Sequence, residues 1–357
     1  MAPLVEAFKN ETTVETKVCV TAQHRQMLDS MLAFFDVRPD YDLDVMAPGQ
    51  TLLEMTGKAL SGLDAVLTES RPDLVLVQGD TSTTFAAALS AHYRQIDVGH
   101  VEAGLRTGNL SAPWPEEANR RLTSVLARYH FAPTLNAREN LRREGVSDAN
   151  IHVTGNTVVD ALLNTVARLR EDGQTRNELE RRFAFLNPSK RLILVTGHRR
   201  ENHGMGLESV CQALLEIAQR GDVEVLFPVH LNPKVKQPVH RLLGGVPGIF
   251  LIDPQDYLPF VYLMNRATLI ISDSGGVQEE APALGKPVLV TRESTERPEA
   301  IEAGTARIVG TSQSTIVREV TRLLDEPADY MVMSRAANPY GDGDASRRIC
   351  NIVASAC

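Results

Sequence analysis

Short apolar runs rich in Val, Ile and Leu alternate along this chain with longer stretches that carry apolar residues at helical spacing. That alternation predicts βαβ units and a parallel sheet. In the first half the runs are Lys17–Thr21, Leu74–Gln78, Asp97–Glu102, His130–Pro133 and Ile151–Thr154. In the second half they are Leu192–Thr196, Glu224–Pro228, Ile249–Ile252, Leu269–Ser272, Pro287–Thr291 and Ala306–Val309. Two sheets are therefore expected rather than one. The segment from Arg168 to Lys190 is polar and carries Gly173 and Pro188, which places a domain boundary near it. Its charge cluster Glu178–Arg182 reads as a solvated helical face. Ala2–Lys9 reads as a helix where a doubly wound domain would open with a strand.

A length of 357 residues agrees with two domains, and 43% hydrophobic with 23% charged residues is ordinary for a globular chain. The formal net charge of -8 gives no general attraction to nucleic acid or to an anionic membrane. No apolar run approaches the ~20 residues that span a bilayer, and the first residues lack a signal-peptide pattern. A cytoplasmic protein is expected. Cys19, Cys211, Cys350 and Cys357 show neither metal-ligand spacing nor a disulfide framework, and read as reduced thiols. With no His pair at i,i+4 and no acidic metal cluster, no metal is expected; the lack of a Gly-x-Gly-x-x-Gly turn argues against a nicotinamide cofactor.

In an open parallel sheet, ligands bind beyond the carboxyl ends of the strands, so the residues just after each apolar run are the ones to inspect. Gly79-Asp80-Thr81-Ser82 follows one run, His100-Val101-Glu102-Ala103-Gly104 the next, and Pro113-Trp114-Pro115-Glu116-Glu117 lies shortly beyond. Each acid alone is an ordinary cap or surface residue. Asp80, Glu102 and Glu116 at successive strand ends point instead to general acid and base chemistry, because like charges in one cleft shift carboxyl pKa values.

In the second half Gly197-His198-Arg199-Arg200 follows a strand end and suits a phosphate, although its arginines also read as surface cations; His230 is equally ambiguous. Asp273-Ser274-Gly275-Gly276 opens a helix with uncovered backbone N–H groups, a phosphate-favouring arrangement. Glu280 follows at a spacing that would reach the hydroxyls of a ribose.

Taken together, Thr21–Asp29, Gly79-Asp80-Thr81, Gly99–Thr107, Pro115-Glu116-Glu117, Gly197–Glu201, Asp273–Glu280, Glu296–Glu299 and Asn338–Gly343 closely resemble the non-hydrolysing UDP-N-acetylglucosamine 2-epimerases. The likeness covers nearly every residue. It implies two Rossmann-like domains in the fold of one large glycosyltransferase class, with the active site in the cleft between them. The corresponding domains are 1–170, joined by a returning helix 343–357, and 171–342. The implied reaction is the reversible interconversion of UDP-N-acetylglucosamine and UDP-N-acetylmannosamine through 2-acetamidoglucal, without metal or nicotinamide, in a homodimer that supplies cell-surface polysaccharide.

By the same resemblance Asp80, Glu102, Glu116 and His198 are catalytic. Phe260, Ser274, Gly275, Gly276, Glu280 and Arg297 bind the nucleotide sugar. Gln23, His24, Gln26, Arg199 and His230 match an activator site, but Gly49 stands where some regulated relatives carry an arginine, which counts against activation by UDP-N-acetylglucosamine. The family pattern opens with a β-strand and a Gly-Thr-Arg-Pro-Glu loop that face the UDP phosphates, and this chain begins just after them, at Met1-Ala2-Pro3-Leu4. A first domain lacking a central strand and part of its phosphate site is therefore expected, with activity of the chain as given in question. The competing readings are a non-catalytic nucleotide-sugar binder and a glycosyltransferase of the same architecture.

Overall fold

Twelve strands form where the apolar runs predict them, with one addition. In the computed structural model, which describes residues 1–23 and 25–356, they are β1 (Cys19–Val20), β2 (Tyr41–Asp42), β3 (Leu74–Gln78), β4 (Asp97–Val101), β5 (Tyr129–Ala132) and β6 (Ile151–Val153), then β7 (Arg191–Thr196), β8 (Val223–Pro228), β9 (Ile249–Ile252), β10 (Leu269–Ser272), β11 (Val288–Val290) and β12 (Ala306–Ile308). Every strand pairing among the described residues is parallel. The strand missed in the sequence is β2, whose Tyr-Asp pair offers no apolar run.

The chain divides into two compact units, Met1–Ala161 with Tyr340–Cys357, and Leu162–Pro339. The divisions fall inside the helix Thr157–Glu171 and just before Tyr340, whereas the sequence reading sets them at 170 and 342.

The second unit holds one sheet in the order β12-β11-β10-β7-β8-β9. Read from β9, this is the doubly wound Rossmann order, in which the strand sequence reverses between β7 and β10. Leu192, Ile193, Leu194 and Val195 of β7 and all of β10 are buried, as strands covered by helices on both faces must be. Leu207, Cys211, Leu214 and Ile217 from the helix Met205–Ala218 pack onto Ile193, Val225 and Phe227 from one side.

The first unit carries a four-stranded sheet, β3-β4-β5-β6, and a separate β1-β2 pair. The described residues therefore hold three sheets rather than the expected two. Among the described residues no backbone ladder joins β1 to β3; the residues beyond them meet through their side chains, Thr21 Oγ1 lying 2.8 Å from Thr83 Oγ1 at the start of the helix Ser82–Tyr93. The helix Ala345–Ala356 returns to this unit and buries Ile349, Cys350 and Val353 against Leu4 and Phe8 of the helix Ala2–Lys9. Asp160 anchors its start by accepting the Ala345 N–H at 2.9 Å.

The helix Leu52–Ser70 begins with a capping box. Thr51 Oγ1 accepts the Glu54 N–H at 3.2 Å, and Glu54 Oε2 accepts the Thr51 N–H at 2.7 Å. Thr51→Ala is expected to cost about 1 kcal/mol in chemical denaturation, with the m-value unchanged. A loss below a few tenths would mean that this helix is held by packing alone.

Candidate active site

In the first unit β3 and β4 pair in register, Gln78 opposite Val101, so the residues that follow them stand at neighbouring carboxyl ends. Gly79 turns at φ +73° and places Asp80 at the β3 tip. The turn is held from below: Gly79 N donates to the Val101 carbonyl at 3.0 Å, and buried His100 donates from Nε2 to the Gly79 carbonyl at 2.8 Å. Burial pushes the His100 pKa down to about 3, so its ring stays neutral and the Nε2 proton stays on this bond.

Glu102 follows β4 with a left-handed backbone, φ +64°, which costs a non-glycine residue about 1–3 kcal/mol and persists only where the surroundings demand it. Its Oε2 accepts from Gln78 Nε2 at 3.4 Å. Glu116 is half-buried at the first position of the helix Glu116–Leu126. The same helix sends Asn119 Nδ2 to the Asp80 carbonyl at 3.0 Å and the Arg120 guanidinium to the Asp80 carboxylate. Thus Glu102 lies beside the Gly79 turn that carries Asp80, and the helix that bears Glu116 contacts Asp80 through Asn119 and Arg120.

The charge balance differs from a cluster of like charges. Arg120, almost fully buried, also pairs with Glu117 at 3.3 Å, and Glu117 accepts the N–H groups of Thr107 at 3.1 Å and Gly108 at 3.2 Å. Glu117 is fully buried and Arg120 holds it and Asp80 together. Sequence reasoning singled out Glu116 and passed over its neighbour. The signal available was helical spacing: Glu117 and Arg120 lie at i,i+3 on one face, with the Glu N-terminal to the Arg.

In the second unit the reversal of strand order lies between β7 and β10, and the residues that follow those strands meet there. Asp273, buried just after β10, accepts the His198 N–H at 2.9 Å and the Arg199 N–H at 2.9 Å through Oδ2, and lies 3.3 Å from His198 Nδ1 through Oδ1. Asn202 Nδ2 adds a bond to Asp273 Oδ2 at 3.3 Å and another to the Thr291 carbonyl at 2.9 Å. His198 is itself partly exposed. Burial lowers its pKa, Asp273 opposes that, and Arg199, His230 and Arg292 lower it further.

Ser274 caps the helix Gly275–Glu280 with its side chain uncommitted to the cap. A Cβ on Gly275 would stand 3.9 Å from the Arg297 guanidinium, and one on Gly276 3.7 Å from Glu280 Oε2, so the bare backbone of this turn faces both predicted binding residues. Arg297 pairs with Glu279, and its own N–H donates to Thr295 Oγ1 at 3.1 Å. Burial, and then the Glu279 charge, pushes the Glu280 pKa up to about 8. A group held neutral at its usual pH can both donate and accept, which suits a hydroxylated ligand. Phe260 sits half-buried on the helix Tyr257–Arg266, whose Tyr257 phenol is pushed up by burial and then by Glu280.

Of the predicted activator residues, Arg199 and His230 gather around His198. The His230 ring stacks on that of His198 at 5.8 Å and accepts the Asn232 N–H at 3.1 Å, while Arg199 reaches Glu296 at 3.7 Å. Gln23 lies half-buried in the loop after β1, in the other unit. His24 and the side chain of Gln26 lie outside the described residues. Among the described residues no group of His, Cys, Asp and Glu side chains is arranged to hold a metal.

The chain matches the model of the UDP-N-acetylglucosamine 2-epimerase family over residues 6–354. It is 58% identical over 350 residues to the UDP-N-acetylglucosamine 2-epimerase of Escherichia coli K12, covering 98% of this chain and 93% of that protein. Its fold superimposes on a Neisseria meningitidis UDP-GlcNAc 2-epimerase solved with UDP-GlcNAc, with TM-score 0.92, 49% identity and coverage of 99% and 96% of the two chains. A Methanocaldococcus jannaschii UDP-GlcNAc 2-epimerase, in complex with UDP-GlcNAc and UDP, follows at TM-score 0.80, 34% identity and coverage of 99% and 95%. The doubt that the chain's first residues raise about its activity is not borne out by coverage this extensive, and neither a binding remnant nor a glycosyltransferase is the reading it supports. With its pair of Rossmann-like α/β units and its motifs on the carboxyl ends of their strands, the chain belongs to the UDP-N-acetylglucosamine 2-epimerase family.

Proposed function

We propose that this protein interconverts UDP-N-acetylglucosamine and UDP-N-acetylmannosamine, using Asp80, Glu102, Glu116 and His198 as catalytic residues. The observation that carries this reading is the near full-length match to the family, 58% identical over 350 residues to a UDP-N-acetylglucosamine 2-epimerase. Inverting carbon 2 requires removal of a hydrogen that is not acidic. In the proposed route a carboxylate takes the carbon 2 proton as the bond from carbon 1 to the UDP oxygen breaks, leaving 2-acetamidoglucal. A proton then returns to the opposite face of carbon 2 as UDP adds back to carbon 1.

The residues of each unit suit one side of this chemistry. Asp80 and Glu102 supply carboxylates for proton transfer or for stabilising positive charge on the sugar. His198, Arg297 and the amides of Ser274–Gly276 suit the departing diphosphate, with Glu280 on the ribose and Phe260 beside the uracil. Gln23, Arg199 and His230 remain candidates for an activator site, alongside His24 and Gln26.

Incubation in deuterium oxide tests the reading: deuterium is expected to enter carbon 2 of both UDP sugars as they equilibrate. Epimerisation without any incorporation would remove the proton-transfer role of the carboxylates, and no conversion would remove the activity.

The reading extends to a homodimer in the cytosol that supplies N-acetylmannosamine units for cell-surface polysaccharide. The dimer alone draws support from the structure, in exposed apolar residues on three helices of the first unit that pack side by side, with Leu53 82% exposed, Tyr93 76% and Val125 83%. Light scattering on the purified protein measures the oligomer directly.

A further inference from the structure

We infer that Asp273 is the positioning residue for His198, holding the imidazole with its proton on Nδ1 and so presenting Nε2 to the ligand. The inference rests on the proposed catalytic role of His198 and assigns that role a second residue, which sequence reasoning read only as the start of the Ser-Gly-Gly turn.

The geometry carries it. The Asp273 side chain is 1% exposed, and both its oxygens are committed to the loop that follows β7. Oδ2 accepts the His198 N–H at 2.9 Å, the Arg199 N–H at 2.9 Å and Asn202 Nδ2 at 3.3 Å. Oδ1 lies 3.2 Å from the His198 N and 3.3 Å from His198 Nδ1. One buried carboxylate thus grips the His198 backbone and faces the near nitrogen of its ring. A carboxylate can only accept, so the neutral imidazole lowers its energy by keeping a proton on Nδ1 and leaving a lone pair on Nε2. When the ring takes a second proton, that proton sits on Nε2 and is stabilised by the negative charge across the ring.

The neighbouring backbone also lies in contact with this carboxylate. A Cβ on Gly197 would stand 3.7 Å from Asp273 Oδ2 and 3.8 Å from the Phe227 ring, so the carboxylate lies against the turn itself. The lengths of the two connections leave no local alternative: Asp273 and His198 are 75 residues apart, and only the parallel pairing of β7 with β10, Thr196 opposite Ser272, brings them together.

The groups that set the His198 charge come from the loops after β7, β8, β10 and β11. Asp273 favours the protonated ring, while burial and the charges of Arg199, His230 and Arg292 disfavour it. Removing the Asp273 charge therefore leaves only influences that disfavour the protonated ring. The pH limb that reports His198 protonation moves to lower pH.

The test uses the full-length enzyme with Asp273→Asn, His198→Asn and the double variant, measured for kcat, KM and their pH dependence. Asp273→Asn is expected to lower kcat by about 10²-fold, with KM changed less than about threefold, and to shift the His198 limb of the kcat profile to lower pH. The double variant is expected to be no slower than His198→Asn alone, because a positioning residue has nothing left to position. An Asp273→Asn enzyme with an unmoved limb, or a double variant slower by the product of the two losses, would overturn the inference. A His198→Asn enzyme with undiminished kcat would instead overturn the catalytic role of His198 itself, which separates the two failures. Should Asp273→Asn not fold, nitrogen-15 NMR of the wild-type histidines decides the matter. A proton on Nδ1 of neutral His198 supports the inference, and a proton on Nε2 overturns it.

Discussion

Replacing Glu102 by glutamine is expected to lower kcat by about 10²–10⁴-fold, the range a positioned acid or base contributes. Glutamine keeps the shape of the side chain and its contact with Gln78 but cannot accept a proton. The backbone makes the argument stronger than the side chain alone. Glu102 occupies φ +64° directly after β4, a conformation that glycine would adopt without strain. A chain that keeps a charged side chain there at a cost of about 1–3 kcal/mol uses the carboxylate for something other than stability. Glu102→Gly should therefore be at least as stable as the wild type while losing turnover as deeply as Glu102→Gln. Thermal melts and initial rates on the two variants check this pairing. A Glu102→Gly protein that is inactive because it is unfolded would contradict the strain argument, and an active one would contradict the role in proton transfer.

Arg120→Met is expected to destabilise the protein by about 3–5 kcal/mol, the scale for breaking a buried charge pair from one side. Arg120 stands between fully buried Glu117 and the Asp80 carboxylate. Its removal leaves Glu117 with two backbone N–H donors and no counter-charge, and frees Asp80 to turn toward solvent, to which it is already partly open. The loss is therefore read mainly from Glu117. Urea denaturation of Arg120→Met beside Arg120→Met/Glu117→Leu separates the contributions. The double variant should recover part of the stability, because it removes the unpaired buried charge while the Thr107 and Gly108 N–H groups lose their acceptor. A single variant within about 1 kcal/mol of wild type would show that the pair does not hold this helix in place.

Much of this architecture was legible in the residues. The apolar runs that became β3, β7, β8, β9 and β10 were bounded to within a residue, because parallel strands covered wholly or partly by helices are near-continuous apolar runs with turn residues at either end. Asp80, Glu102 and His198 were visible for the same reason: each is the polar interruption just past such a run, where a parallel sheet collects its ligands. β2 was missed because two residues, one of them aspartate, carry no periodicity. The expectation of a single sheet in the first half failed because hydropathy reports that a strand is buried and says nothing of which ladder it joins.

The partners of the site residues lay beyond the reach of the sequence. Arg120 finds Asp80 across 40 residues and Asp273 finds the His198 loop across 75, and neither pair differs in local pattern from any other acid and base near a strand end. Local composition determines whether a position is buried, extended or helical, since those preferences arise within a few residues of it. Which charges then face one another is set by parallel register and by the order in which crossovers stack the strands. Those are properties of the whole sheet, so the identity of the predicted residues was written in the chain, while the carboxylate that orients His198 and the arginine that neutralises Glu117 were decided only when the strands came together.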